Sequence, residues 1–174
     1  MSVLEIIRKR GSIRSYQSKS IPEEVMEKVL EAGRLAQSAG NRQPWEFIVV
    51  EGEELKKELA KACNNQAFVG EAASVLVCVV DPENCGHVGA MDSFLVDAAI
   101  AVENMALVSW ENGVGSCWIG AYDEKRIKKL LNIPRELKVA SILTLGYPAE
   151  EPSFKERKKL DQIVHHEKYK TDFP

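Results

Sequence analysis

The sequence predicts a layered α+β domain, and three observations carry that prediction. Stretches with apolar residues at helical spacing alternate with short, wholly apolar runs. Those runs are closed by turn signals such as Asp81-Pro82 and Gly146-Tyr147-Pro148. The chain has 174 residues, 45% of them hydrophobic, enough for one core without metals or crosslinks. Residues 3–9 predict a short amphipathic helix ending at Gly11. A second helix follows, with Ser20 as its cap, Pro22 in its first turn, Glu23 completing a capping box, and Val25, Met26, Val29, Leu30 and Gly33 on one face. The polar loop of residues 38–44 stops it. Residues 47–50 read as a buried strand, 53–62 as a helix with Leu55 and Leu59 inward, and 75–80 as a second buried strand. Residues 92–112 predict a long helix, apolar over most of its circumference. Its small residues at 98, 99, 101 and 106 suit close approach of another helix, either within the chain or from a symmetric copy. Asp123 opens a further helix that ends before Pro134, and residues 139–145 form a third apolar strand.

Residues 150–174 change character. They are charged, with only Leu160, Ile163, Val164, Tyr169 and Phe173 as hydrophobic anchors, so they cannot build a core of their own. Such a segment is either frayed or docked along another surface. The organisation expected is a core over 1–149 and an arm over 150–174.

Composition excludes several classes of function. The formal net charge is −3, so a broad electrostatic attraction to nucleic acid or to an anionic membrane is not indicated. Glu5, Arg8, Lys9 and Arg10 interrupt the apolar residues near the start, and no signal peptide is read there. The longest apolar run covers 75–80, against the about 20 residues of a spanning helix. A cytoplasmic protein is expected. Cys63, Cys78, Cys85 and Cys117 lack C-x-x-C spacing, so free thiols are expected rather than a zinc or redox motif. His165-His166-Glu167 lacks the helical i, i+4 spacing of a metal pair, and no metal site is assigned. Gly113-x-Gly115 follows a helix and has no third glycine, so it is not a dinucleotide fingerprint. Taken alone it reads as a helix C-cap and turn, with backbone N–H groups near Trp118, Ile119 and Gly120 that could face a ligand.

Two polar clusters hold the remaining chemistry. In an extended Arg10-Gly11-Ser12-Ile13-Arg14, alternate side chains share a face, so two guanidinium groups and a hydroxyl converge while Ile13 points inward. The plainer alternative is a basic surface stretch. Ser38-Ala39-Gly40-Asn41-Arg42-Gln43-Pro44-Trp45 puts side-chain amides on a loop before a buried strand, suiting either a ligand or a turn plugged by Trp45. Lys155 and Arg157 by themselves read as solvated charges.

Together these segments resemble the FMN-dependent nitroreductase family, in the same order and over nearly the whole chain. The resemblance rests on R-x-S-x-R, S-A-x-N-x-Q-P-W, G-x-G-x-x-W-I-G, G-Y-P and the R-x-x-L-x-x-I-V tail. It implies a three-layer fold with a central, mostly antiparallel sheet flanked by helices, and a C-terminal arm docked on the partner subunit of a homodimer. It implies FMN at the dimer interface, with Arg10, Gly11, Ser12, Lys155 and Arg157 around the phosphate and ribityl end. Arg14 would reach the N1/O2 edge of the ring and act in catalysis as a fixed cation. Gln37, Ser38, Ala39, Asn41 and Gln43 would come from the other subunit, Asn65 would lie near the ring's polar edge, and Cys117, Trp118, Ile119 and Gly120 would border N5 and O4. The activity implied is ping-pong electron transfer from NAD(P)H to a small-molecule acceptor such as a nitroaromatic or a quinone. The alternatives are a flavin-binding or redox-sensing module without efficient turnover, or a specialised flavin enzyme of the same fold. Gln37 stands where the family often has proline, Gly11 where a second basic residue or histidine is common, and the 81–92 connection is short compared with larger members.

Overall fold

The computed structural model describes residues 1–171, so Phe173, the last anchor read in the tail, lies outside the described residues. Helix α1 (Val3–Lys9) opens on a capping box: the Ser2 hydroxyl accepts from the Glu5 N–H, and the Glu5 carboxylate accepts from the Ser2 N–H. Helix α2 (Glu23–Arg34) has Pro22 as its N-cap and no side-chain capping bond. The expected Ser20–Glu23 box therefore does not form. The helix begins after the proline rather than on it, which leaves Ser20 two residues outside the cap position.

Strand β1 (Trp45–Val50), helices α3 (Glu53–Ala62) and α4 (Ala67–Glu71), and strand β2 (Ser74–Val80) follow. A small hairpin, β3 (His87–Val88) and β4 (Met91–Asp92), leads into the long helix α5 (Phe94–Glu111). Strand β5 (Gly115–Ile119), helix α6 (Glu124–Leu131) and strand β6 (Lys138–Gly146) complete the core. Asp123 caps α6, its carboxylate accepting from the Arg126 N–H at 3.1 Å.

The sheet runs β1-β2-β6-β5, and every neighbouring pair is antiparallel. Strand alternation divides its side chains between two apolar layers. On one face Leu76, Cys78, Val80, Leu143 and Leu145 pack with Val25, Met26 and Val29 of α2 and with Ala98, Val102 and Met105 of α5. On the other, Val75, Val77, Val79 and Ile142 pack with Leu59 and Ala60 of α3, Val69 of α4 and Ile127 of α6. Helices on both faces explain why β2 is apolar from Val75 to Val80 and buried at all seven positions. The result is the expected three-layer α+β architecture.

Three of the four small residues of α5 serve packing inside the chain: Ala98, Ala101 and Ala106 are buried, and a Cβ on Gly33 of α2 would collide with Met105, while Ala99 is only partly buried. The opposite face of α5 keeps Leu95 and Val96 in solvent, 56% and 42% exposed. Residues 113–120 depart from the turn read in the sequence. Gly113 ends the turn after α5, and β5 occupies Gly115–Ile119. Gly115 is there for proximity, since a Cβ would meet Ile13 and Pro148 at 2.6 and 2.9 Å. No helix among the described residues is long and apolar enough to cross a membrane.

Candidate cofactor site

Residues 10–17 form a strap along the open edge of β5. Ile13, fully buried, plugs the strap into the core, and its N–H donates to the Ser116 carbonyl at 2.9 Å. Ser12 forms a parallel bridge with Ser116. On its other side the strap pairs with the chain leaving β6: the Gln17 N–H donates to the Tyr147 carbonyl at 2.9 Å, and the Ala149 N–H to the Ser15 carbonyl at 3.0 Å. Beneath it the Tyr16 hydroxyl donates to the Ile13 carbonyl at 2.7 Å and lies 2.6 Å from the Thr144 hydroxyl. Burial pushes the Tyr16 phenol well above its ordinary pKa.

With Ile13 turned inward, Ser12 and Arg14 turn outward. The Arg14 guanidinium sits 6.0 Å from the centroid of Phe68 on α4, while its backbone N–H donates to the Glu150 carboxylate at 2.8 Å. Arg10, the C-cap residue of α1, turns toward the middle of α5, its Nε 3.6 Å from a Glu103 carboxylate oxygen. That Nε is buried and has no hydrogen-bond partner, so the Arg10 fork is a donor in want of an acceptor. A Cβ at Gly11 would overlap Pro152, which explains why no basic side chain stands there: the start of the tail fills the space.

The strap meets β5 at Ser116. Burial pushes the Cys117 thiol up, while the Arg14 and Arg10 charges and a hydrogen bond with Ser12 pull it down. Ile119 is buried, whereas Trp118 is 45% exposed. Because Ser116 directs its carbonyl at the strap, Trp118, two residues on, directs its backbone groups to the same edge, away from β6. The Trp118 side chain, with Leu95, Val96, Ala99, Ile100, Glu103 and Asn104, lines an apolar groove of about 640 Å³ along α5. Asn65 lies in the turn before α4, exposed and with a left-handed φ of 57°.

The second polar cluster stands apart. Gly40, Asn41 and Gln43 all have left-handed backbone, at φ 60°, 55° and 51°. The Ser38 hydroxyl accepts from the Gln43 N–H at 2.9 Å, and the Gln43 amide donates to the Asn41 carbonyl at 3.1 Å. The loop is held by Asp97 in the first turn of α5, a residue missed in the sequence reading. Asp97 is 2% exposed, accepts from the Ala39 N–H at 3.0 Å and the Ser93 hydroxyl at 2.7 Å, and so ties loop and helix together. Its signal was an acidic residue inside an otherwise apolar helix. Glu103, facing Arg10, carries the same signal in the same helix. Gln37 is exposed at the loop's start.

Among the described residues, no hydrogen bond or ion pair joins the 38–43 loop to the strap or to β5. Lys155 and Arg157 are likewise separate from the strap: both are exposed, and the Arg157 guanidinium donates to the Lys155 carbonyl at 3.0 Å. One chain therefore gathers Arg10, Gly11, Ser12, Arg14, Cys117 and Trp118, with Ile119 ending the same strand and Gly120 following it. It does not bring the loop or the tail cations to them.

Charged donors beside an aromatic-lined apolar groove suit an anionic ligand with a flat, largely apolar portion. Sequence comparison points to a class of redox enzymes that share this build. The Nitroreductase family model matches residues 7–85 and 66–147. A protein of Archaeoglobus fulgidus named NADH dehydrogenase/NAD(P)H nitroreductase is 38% identical over 173 residues, covering 95% of this chain and 98% of that protein. The crystal structure of a nitroreductase family protein from Clostridium novyi NT superposes with a TM-score of 0.83 at 34% identity, covering 99% and 97% of the two chains. An FMN-dependent nitroreductase from Clostridium difficile R20291 superposes at 0.84 with 29% identity, covering 95% and 99%. The class is oxidoreductase. The chain belongs to the nitroreductase family.

Proposed function

We propose that the protein is an FMN-dependent oxidoreductase that passes electrons from NAD(P)H to a nitroaromatic, quinone or similar small acceptor, working as a homodimer. The observation that carries this reading is the strap itself: Arg10 with a buried, unpartnered Nε, in one segment with Ser12 and Arg14, facing Glu103 of a groove that Trp118 also lines. These residues fit a phosphorylated flavin. When bound, FMN would accept a hydride from the nicotinamide and deliver electrons to the acceptor.

The chain's own residues would hold and tune that group. Arg10 and Ser12 would take the phosphate and ribityl end, joined by Lys155 and Arg157 of the arm, because a dianion calls for more than one cation and the protein's net charge is negative. Arg14 would face the pyrimidine edge, where a fixed cation stabilises the negative charge gained on reduction. Asn65 would sit at the polar edge of the ring, and the outward backbone of Trp118, with Ile119 and Gly120, would border its reactive centre. Gln37, Ser38, Ala39, Asn41 and Gln43 stand apart from the strap within one chain, which supports their acting on the site of a second copy. The exposed Leu95 and Val96 on α5, and the exposed Leu160 and Ile163 of the arm over 150–174, offer the apolar surface such a dimer would cover.

Steady-state oxidation of NADH and of NADPH, with and without a nitroaromatic or quinone, tests the proposal. Acceptor-stimulated turnover is expected with at least one nicotinamide. An FMN-loaded protein that neither nicotinamide reduces would overturn it and leave a flavin-binding module without turnover.

A further inference from the structure

We propose that Glu103 weakens cofactor binding at the phosphate end by acting as a resident counter-ion of Arg10, so that it selects against a dianionic ligand. The inference rests on the FMN reading of the strap. Glu103 projects from the middle of α5 into the groove it shares with Trp118, and its carboxylate is the acid that pairs with Arg10.

The geometry decides the sign of its effect. A carboxylate that orients an arginine for a ligand makes short, directed hydrogen bonds to the fork, as Glu31 does with Arg34 at 2.6 and 2.7 Å. Glu103 does not: its oxygen lies 3.6 Å from the Arg10 Nε, beyond hydrogen-bond reach, and the Nε has no hydrogen-bond partner. The pair thus has charge attraction without directional hold. A phosphate that completes the hydrogen bonding of Arg10 must sit beside this carboxylate and meet like-charge repulsion. Arg10 is the better buried partner, its side chain 28% exposed against 44% for Glu103, so the carboxylate is the one free to swing into water. Arg10 would then give up Glu103 as it takes the phosphate, and affinity would be the difference between the two contacts. Riboflavin, which lacks the phosphate, would feel none of this.

The test titrates flavin-free wild type, Glu103→Gln and Glu103→Ala with FMN and, separately, with riboflavin, following flavin fluorescence. Both variants are expected to bind FMN at least about fivefold more tightly than wild type while riboflavin affinity stays within about twofold. Unchanged or weaker FMN binding would overturn the inference, as would an equal shift for both ligands, which reports a change of groove shape instead of charge. A wild type that binds FMN without the Glu103 effect removes this inference alone. A wild type that binds neither flavin removes the FMN reading with it.

Discussion

Arg10 and Arg14 lie on one strap but meet different surroundings, and the roles proposed for them divide accordingly. Arg10 is drawn toward α5 with an unsatisfied Nε, as suits anion binding, whereas Arg14 lies over Phe68 of α4. Replacing Arg14 by Ala is expected to lower the potential of bound flavin by about 30 mV with little effect on its retention. Arg157→Ala should instead weaken FMN retention by about tenfold and leave the potential unchanged. Equal losses of affinity with unchanged potentials in both variants would contradict the division. The thiols give an independent check on burial. Burial pushes the Cys78 and Cys63 thiols up to about 12 and about 11 and raises that of Cys117, and it also shields all three from solvent, whereas Cys85 is partly exposed. Native protein should therefore react with a thiol reagent at Cys85 alone, and at all four cysteines once unfolded. Residue identity was legible in the sequence where a motif exposed it, as with Arg10, Ser12 and Arg14. For Glu103 and Asp97 the sequence showed acids within an apolar helix but not their partners, which are distant in the chain and are brought close only by folding.

Among the elements, the strap and the 38–43 loop show how fixed structure supplies positions that a flexible segment lacks. Tyr16 and Thr144 lock the strap from below, so Tyr16→Phe should cost about 1–2 kcal/mol through the lost bond to the Ile13 carbonyl. Asp97 anchors the loop at Ala39; Asp97→Asn turns an acceptor into a group that also donates and should accelerate amide exchange over 39–43. Exchange unchanged from wild type would show that the loop is held by its internal bonds alone. The sheet strands and long helices were readable from periodicity because both faces of the sheet are covered. Strand β5 was not, because Gly113 and Gly115 read as turn residues when Gly115 is in fact demanded by the close approach of Ile13 and Pro148. The short α4 and the β3–β4 hairpin were also unread, being too brief to display a period.

For the whole molecule, ionisation and assembly give the remaining expectations. Tyr16 and Cys78 hold their protons more tightly when folded, so above about pH 9–10 the unfolded chain loses protons that the native chain retains, and stability falls as pH rises. Tyr16→Phe should make that alkaline decline shallower, by up to about 1.4 kcal/mol per pH unit between the unfolded and folded values, which denaturation midpoints across pH will show. A strap at one place, a loop at another and tail cations at neither make a complete site only if a second chain contributes, so mass in solution should be twice that of the chain. The three-layer fold was legible as a whole, since it follows from which runs are apolar on both faces; how the pieces of the proposed site come together was not, because one chain does not bring the strap, the 38–43 loop and the tail cations together. The most direct test of the central claim is the flavin content of the purified protein after desalting and denaturation. The account predicts a yellow protein that releases FMN at close to one per chain; a colourless protein that takes up no added FMN would contradict it.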